Sequence, residues 1–111
     1  MAERVRTERS RMAAYVVITR FHTRNPAELE QYAKDAPGFL AGHSIKFLAR
    51  FESCEVVEGP GAEGVAILEF PTLAEAKAWY SSSAYQRASK HRFEGGDYGV
   101  IIVEGSSGTA H

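Results

Sequence analysis

The chain has 111 residues, 44% of them hydrophobic and 24% charged, which is the size and composition of one globular domain. A formal net charge of −1 excludes a bulk electrostatic pull toward nucleic acid or anionic membrane, and no apolar run approaches the roughly 20 residues that span a bilayer. The single cysteine, Cys54, cannot close an internal disulfide, so the expected setting is reducing and cytoplasmic.

Residues 1–12 open the chain with Arg4, Arg6, Arg9 and Arg11 against Glu3 and Glu8. No apolar stretch of signal-peptide length follows, so this segment reads as a disordered basic arm. Tyr15 to Phe21 is β-branched and aromatic, as a strand is. A helix should start at Asn25, with Pro26 at its first position and Glu28 three residues after the cap. Leu29, Tyr32, Ala33 and Ala36 form its apolar stripe, and Pro37-Gly38 should interrupt it before one more turn.

Ile45 to Phe51 alternates apolar and polar, which predicts a second strand with Ile45, Phe47, Ala49 and Phe51 on one face and Arg50 on the other. Glu55 to Glu58 reads as its continuation, Gly59 to Gly64 as a turn and Val65 to Phe70 as the third strand. Thr72 and Glu75 make a capping box for a helix whose apolar side is Leu73, Ala76, Trp79 and Tyr80. Ser82 should cap another short helix over 84–93. Gly95 to Asp97 reads as a turn, Tyr98 to Glu104 as the last strand and 106–111 as a disordered tail, leaving 13–105 as one domain.

The order β-α-β-β-α-β predicts an α+β, ferredoxin-like fold: a four-stranded antiparallel sheet with helices on one face. The first and last strands are apolar on both sides: Tyr15, Val17 and Phe21 against Val16 and Ile18, and Val100 and Ile102 against Ile101 and Val103. One helix layer covers only one face, so the other calls for the sheet of a second copy, hence a homodimer.

Several segments together carry a family resemblance: Met12 to Val16, Phe47 to Arg50, Glu55 to Gly59, Val65 to Tyr80 with Ser82, Tyr85 and Gln86, and Val100 to Gly105. Over about residues 12 to 105 the sequence resembles the bacterial domain-of-unknown-function family 1330. The resemblance implies a dimeric α+β barrel, in which two such sheets pack face to face. Proteins of that superfamily include quinone-forming monooxygenases, chlorite dismutase-like haem proteins and muconolactone isomerase-like enzymes, so the fold names no reaction. Two departures stand out: Gly42-His-Ser-Ile-Lys46 replaces the family's Gly-Gly-Arg lead into strand two, and Phe51-Glu-Ser-Cys54 replaces the glycines that usually follow Arg50.

The residues that could carry chemistry are few. Gly59 to Gly64 matches GxGxxG, but a strand rather than a helix follows, so it reads as a hairpin loop and implies no nucleotide cofactor. His22, His43, His91 and His111 lack metal-ligand spacing, and Cys54 lacks an activating partner, so neither a metal nor any other cofactor is expected. Arg50, mid-strand, needs either a carboxylate such as Glu52, Glu69 or Glu104, or an anionic ligand. His22 and His43 are expected at one end of the sheet with Tyr80, and Tyr80 or Tyr85 is expected to offer its hydroxyl to a cleft. The expected site is therefore Arg50, His22, His43, Tyr80 and Tyr85, holding a small aromatic or anionic molecule between sheet and helices. The alternatives are a cofactor-independent oxygenase or isomerase with His22 or His43 as base, and a dimeric module without a ligand.

Overall fold

The computed structural model describes residues 12–106; all but the last residue of the expected arm and the first of the expected tail lie outside them. The elements are β1 (Ala14–Thr23), α1 (Pro26–Lys34), α2 (Ala36–Leu40), β2 (Lys46–Arg50), β3 (Gly64–Phe70), α3 (Leu73–Ser81), α4 (Ser83–Gly95) and β4 (Gly96–Glu104). The strands lie in the order β2-β3-β1-β4, and every neighbouring pair is antiparallel. This is the expected ferredoxin-like α+β arrangement.

The helix starts follow the capping residues. The Asn25 side chain accepts the N–H of Ala27 at 3.2 Å, Thr72 that of Glu75 at 3.1 Å, and Ser82 that of Tyr85 at 3.2 Å. Each satisfies a donor that the first helical turn leaves without a partner. The break after α1 falls at Asp35 rather than at Pro37-Gly38. Pro37 sits in the first turn of α2, where its missing N–H is not needed. Helix α4 runs on to Gly95 and the chain enters β4 at once, without the expected turn. The Gly95 carbonyl accepts the N–H groups of Arg24 (2.8 Å) and Asn25 (3.0 Å), tying this junction to the start of α1.

The core lies between the sheet and the helices. Ala14, Val16 and Ile18 of β1 and Ala66, Leu68 and Phe70 of β3 are buried beneath Phe39, Ala76, Trp79, Tyr85 and Ala88. The opposite face of the sheet is also apolar. Val17 lies between Ile67 and Ile101 in the register, and Tyr15 lies beside Val103. In a single chain this face has no cover, and Ile101 is 61% and Val103 47% exposed.

Strand β2 departs from the simple alternation. Phe47 pairs with Leu68, but Ala49 pairs with Ile67 and Arg50 with Ala66, because Leu48 is an extra residue in a bulge. The bulge moves Ala49 to the uncovered face and turns Arg50 to the helix side, with Phe47. The expected placement of Arg50 opposite Phe47 is thus reversed. Residues 55–58 do not extend the strand. Arg50 already pairs opposite Ala66, and β3 begins at Gly64, so no strand edge remains for them to pair with.

Candidate functional site

A cleft of about 340 Å³ opens between the helices and the β2 side of the sheet. Its floor is Ile18 and Arg20 of β1, Phe47 and Arg50 of β2, Ala66 and Leu68 of β3 and Tyr98 of β4; Phe51 joins it just past β2. Its roof is Leu29, Tyr32 and Ala33 of α1, with Ala36, Phe39 and Leu40 of α2 and Trp79 of α3. The volume is at the lower end of the roughly 300–1,000 Å³ typical of small-molecule sites.

No aspartate or glutamate lines this cleft, whereas two arginines do. The Arg50 guanidinium lies 3.7 Å from the centroid of the Phe47 ring. Among the described residues no carboxylate pairs with it; Glu52 instead accepts the backbone N–H of Arg50 at 2.6 Å. Arg20 is held more firmly. Its Nε donates to Glu63 at 3.1 Å, and its guanidinium lies 5.0 Å from the Phe51 ring centroid. The Glu63 carboxylate also accepts the N–H of Thr23 at 3.0 Å and its hydroxyl, and these bonds to Thr23 are the first reason its pKa falls below the usual value.

A third arginine, Arg92 of α4, is 2% exposed behind this wall. Its guanidinium lies 4.6 Å from the Phe93 ring and 5.3 Å from that of Tyr98, and its Nε has no hydrogen-bond partner among the described residues. The aromatic faces offset part of the cost of burying this charge. The cleft is therefore lined mainly by apolar side chains, with Arg50 as the lining cation that has no carboxylate partner among the described residues.

Two phenols complete the lining. The Tyr32 hydroxyl is 2.7 Å from that of Tyr85, and burial, reinforced by this neighbour, pushes the Tyr32 pKa far up. Burial also raises Tyr98, partly offset by its contact with Arg20. At neutral pH both are protonated, so they can donate hydrogen bonds but not act as bases.

Of the five expected site residues, only Arg50 lines the cleft. Strands β1 and β2 both run antiparallel to β3, so His22 near the end of β1 and His43 before β2 lie at opposite ends of the sheet. The His22 side chain is largely exposed, 3.9 Å from Glu63. Tyr85 is fully buried and its hydroxyl meets Tyr32 rather than the cavity, while Tyr80 packs against Trp79 and Tyr85. The sequence reasoning passed over Arg20, Tyr32, Phe51 and Tyr98. The inward alternation Ala14-Val16-Ile18 continues to Arg20, and Arg20 pairs with Tyr98 across the sheet, so the pattern that located the core also pointed to these two.

The roof is clasped to α4 by His91. Its Nδ1 is 2.6 Å from Glu28, and its Nε2 is 3.9 Å from Asp35. The hydrogen bond to Glu28 is the main cause raising the His91 pKa above its ordinary 6.5. A raised histidine stabilises the fold fully below its unfolded pKa, and that contribution is lost as pH rises through the folded value. Exchanging His91 for Gln is expected to flatten the fall in thermal midpoint from about pH 6 to pH 8. Equal pH slopes for the two proteins would show that the clasp contributes nothing.

The fold is a ferredoxin-like sheet with one helix layer over an aromatic cleft. The chain belongs to the DUF1330 family (domain of unknown function), whose model matches residues 13–106. Among solved structures it is similar to RPA0582, a protein of unknown function from Rhodopseudomonas palustris, at 18% identity with a TM-score of 0.62, over 96% of this chain and 95% of that one. It is similar to a dimeric ferredoxin-like protein of unknown function from Thermobifida fusca at 12% identity and TM-score 0.58, over 84% and 91%. It is also similar to SnoaB, a cofactor-independent oxygenase from Streptomyces nogalater, at 11% identity and TM-score 0.60, over 86% and 95%. At these identities the likeness shows the fold alone. No curated protein matches the sequence.

Proposed function

We propose that the protein is a homodimer that binds a small organic molecule in the cleft between sheet and helices, its apolar body against Tyr32, Phe39, Phe47 and Trp79 and its anionic group at Arg50. The observation that carries this reading is Arg50 itself, a guanidinium laid on Phe47 in the wall of a cavity that no carboxylate lines. A charged donor so placed recognises a carboxylate or related anion. The two-faced sheet supports the dimer, as does the dimeric state of the Thermobifida fusca protein.

The oxygenase reading has less behind it, because neither His22 nor His43 lines the cleft and the phenols there hold their protons. An interaction module without a ligand would have no use for an apolar cavity with Arg50 in its wall and, among the described residues, no carboxylate paired with it. The test is calorimetric titration with benzoate and 1-naphthoate as aromatic anions. Arg50→Ala is expected to weaken binding about ten- to a hundredfold, the worth of a hydrogen bond to a charged group, and Arg50→Lys to restore part of it. Equal affinity in wild type and Arg50→Ala would reject Arg50 as the anion's partner.

A further inference from the structure

We propose that Phe51 sets the size limit of this cleft, so that it admits small planar anions that fit beside its ring and turns away larger fused ones. The inference rests on the binding reading above and deepens it. Phe51 is the one non-glycine residue among those described with a positive φ, +61°. A side chain in that left-handed region is strained, and glycine would take the same backbone freely. Strain of this kind persists where the surroundings over-determine it, and it gathers at ligand sites.

Here the surroundings are explicit. The Phe51 N–H donates to the Val65 carbonyl at 2.9 Å, which fixes the backbone. Gly64 leaves room for the side chain: a Cβ on that residue would sit 3.2 Å from Cδ1 and 3.3 Å from Cβ of Phe51. The ring lies under the Arg20 guanidinium and meets Tyr98 edge-on, with centroids 6.4 Å apart and planes at 84°. Arg20 is in turn held by Glu63. Four neighbours thus hold one strained ring in the cavity wall, directly after the arginine assigned to the ligand's anion. A ring there bounds the cavity on the side next to Arg50.

The experiment compares benzoate with 1-pyrenecarboxylate on the wild type, Phe51→Gly and Phe51→Asn, since glycine and asparagine both accept the left-handed backbone. The wild type is expected to favour benzoate. In both variants the preference should shift toward the pyrene acid by about tenfold or more, the scale on which pocket size discriminates. An unchanged ratio in a folded variant would overturn the size role while leaving the binding reading standing. Failure of the wild type and the variants to bind either acid would overturn both. Loss of folding in both variants would mark Phe51 as a core residue and reject the proposal.

Discussion

Exchange of Ile101 for glutamate is expected to turn the proposed dimer into a monomer. Ile101 lies near the middle of β4 on the face that the helices leave bare, and it is 61% exposed in the single chain. The monomer should therefore tolerate the exchange. In a two-fold interface each substitution occurs twice. Two carboxylates removed from water without partners, with two isoleucines lost, cost about 4 kcal/mol or more. That is roughly a thousandfold in dissociation constant. Light scattering across a concentration series reads the mass directly. Lys77→Glu, on the exposed side of α3, serves as the control and should leave the mass unchanged. A dimeric Ile101→Glu protein would show that the two copies meet elsewhere, and a monomeric wild type would remove the dimer altogether.

The second large effect is expected at Trp79. Its side chain is fully buried, and its indole N–H donates to the Phe39 carbonyl at 3.0 Å. Its ring packs against Phe39, Phe70, Tyr80 and Tyr85, the last with centroids only 4.2 Å apart. Trp79→Ala should cost about 3–5 kcal/mol, through lost burial and the cavity left behind. Against a usual total of about 5–15 kcal/mol this is a large share. Trp79→Phe keeps most of the packing and should cost clearly less. Urea denaturation measures both. A loss below about 1 kcal/mol for the alanine variant would mean that α2 and α3 are not joined through this residue. The cleft should suffer along with the fold, because Trp79 is part of its roof.

What could be read in advance was whatever depends on local chemistry or strict period. Asn25, Thr72 and Ser82 cap helices because each side-chain oxygen finds an N–H two or three residues along, a relation contained within a few residues of sequence. The two-faced character of β1 and β4 follows from alternation and needs no coordinates. The site was harder to read, since its residues meet only through the register. The bulge at Leu48 breaks the alternation from which the direction of Arg50 was inferred, and no local signal marks it. His22 and His43 were grouped by their closeness to strand ends, but which ends coincide depends on strand direction. The departure at Phe51 was visible as a residue standing where the family resemblance leads one to expect glycine. That its ring would turn into the cleft became clear only with its φ and the room left by Gly64.

The bulge at Leu48 has a bearing on how this segment can vary. Upstream of it Phe47 belongs to the cleft, and downstream the assignments change over, giving Arg50 to the cleft and Ala49 to the bare face. A point substitution in β2 therefore alters one surface at a time. The loss of the Leu48 codon would remove the bulge and restore strict alternation, leaving Phe47 and Arg50 on the cleft face and Ala49 on the bare face. The length of this strand can therefore change by the bulge residue, and descendants that keep the cleft should keep Phe47 opposite Leu68 and Arg50 opposite Ala66 whether or not the extra residue is present.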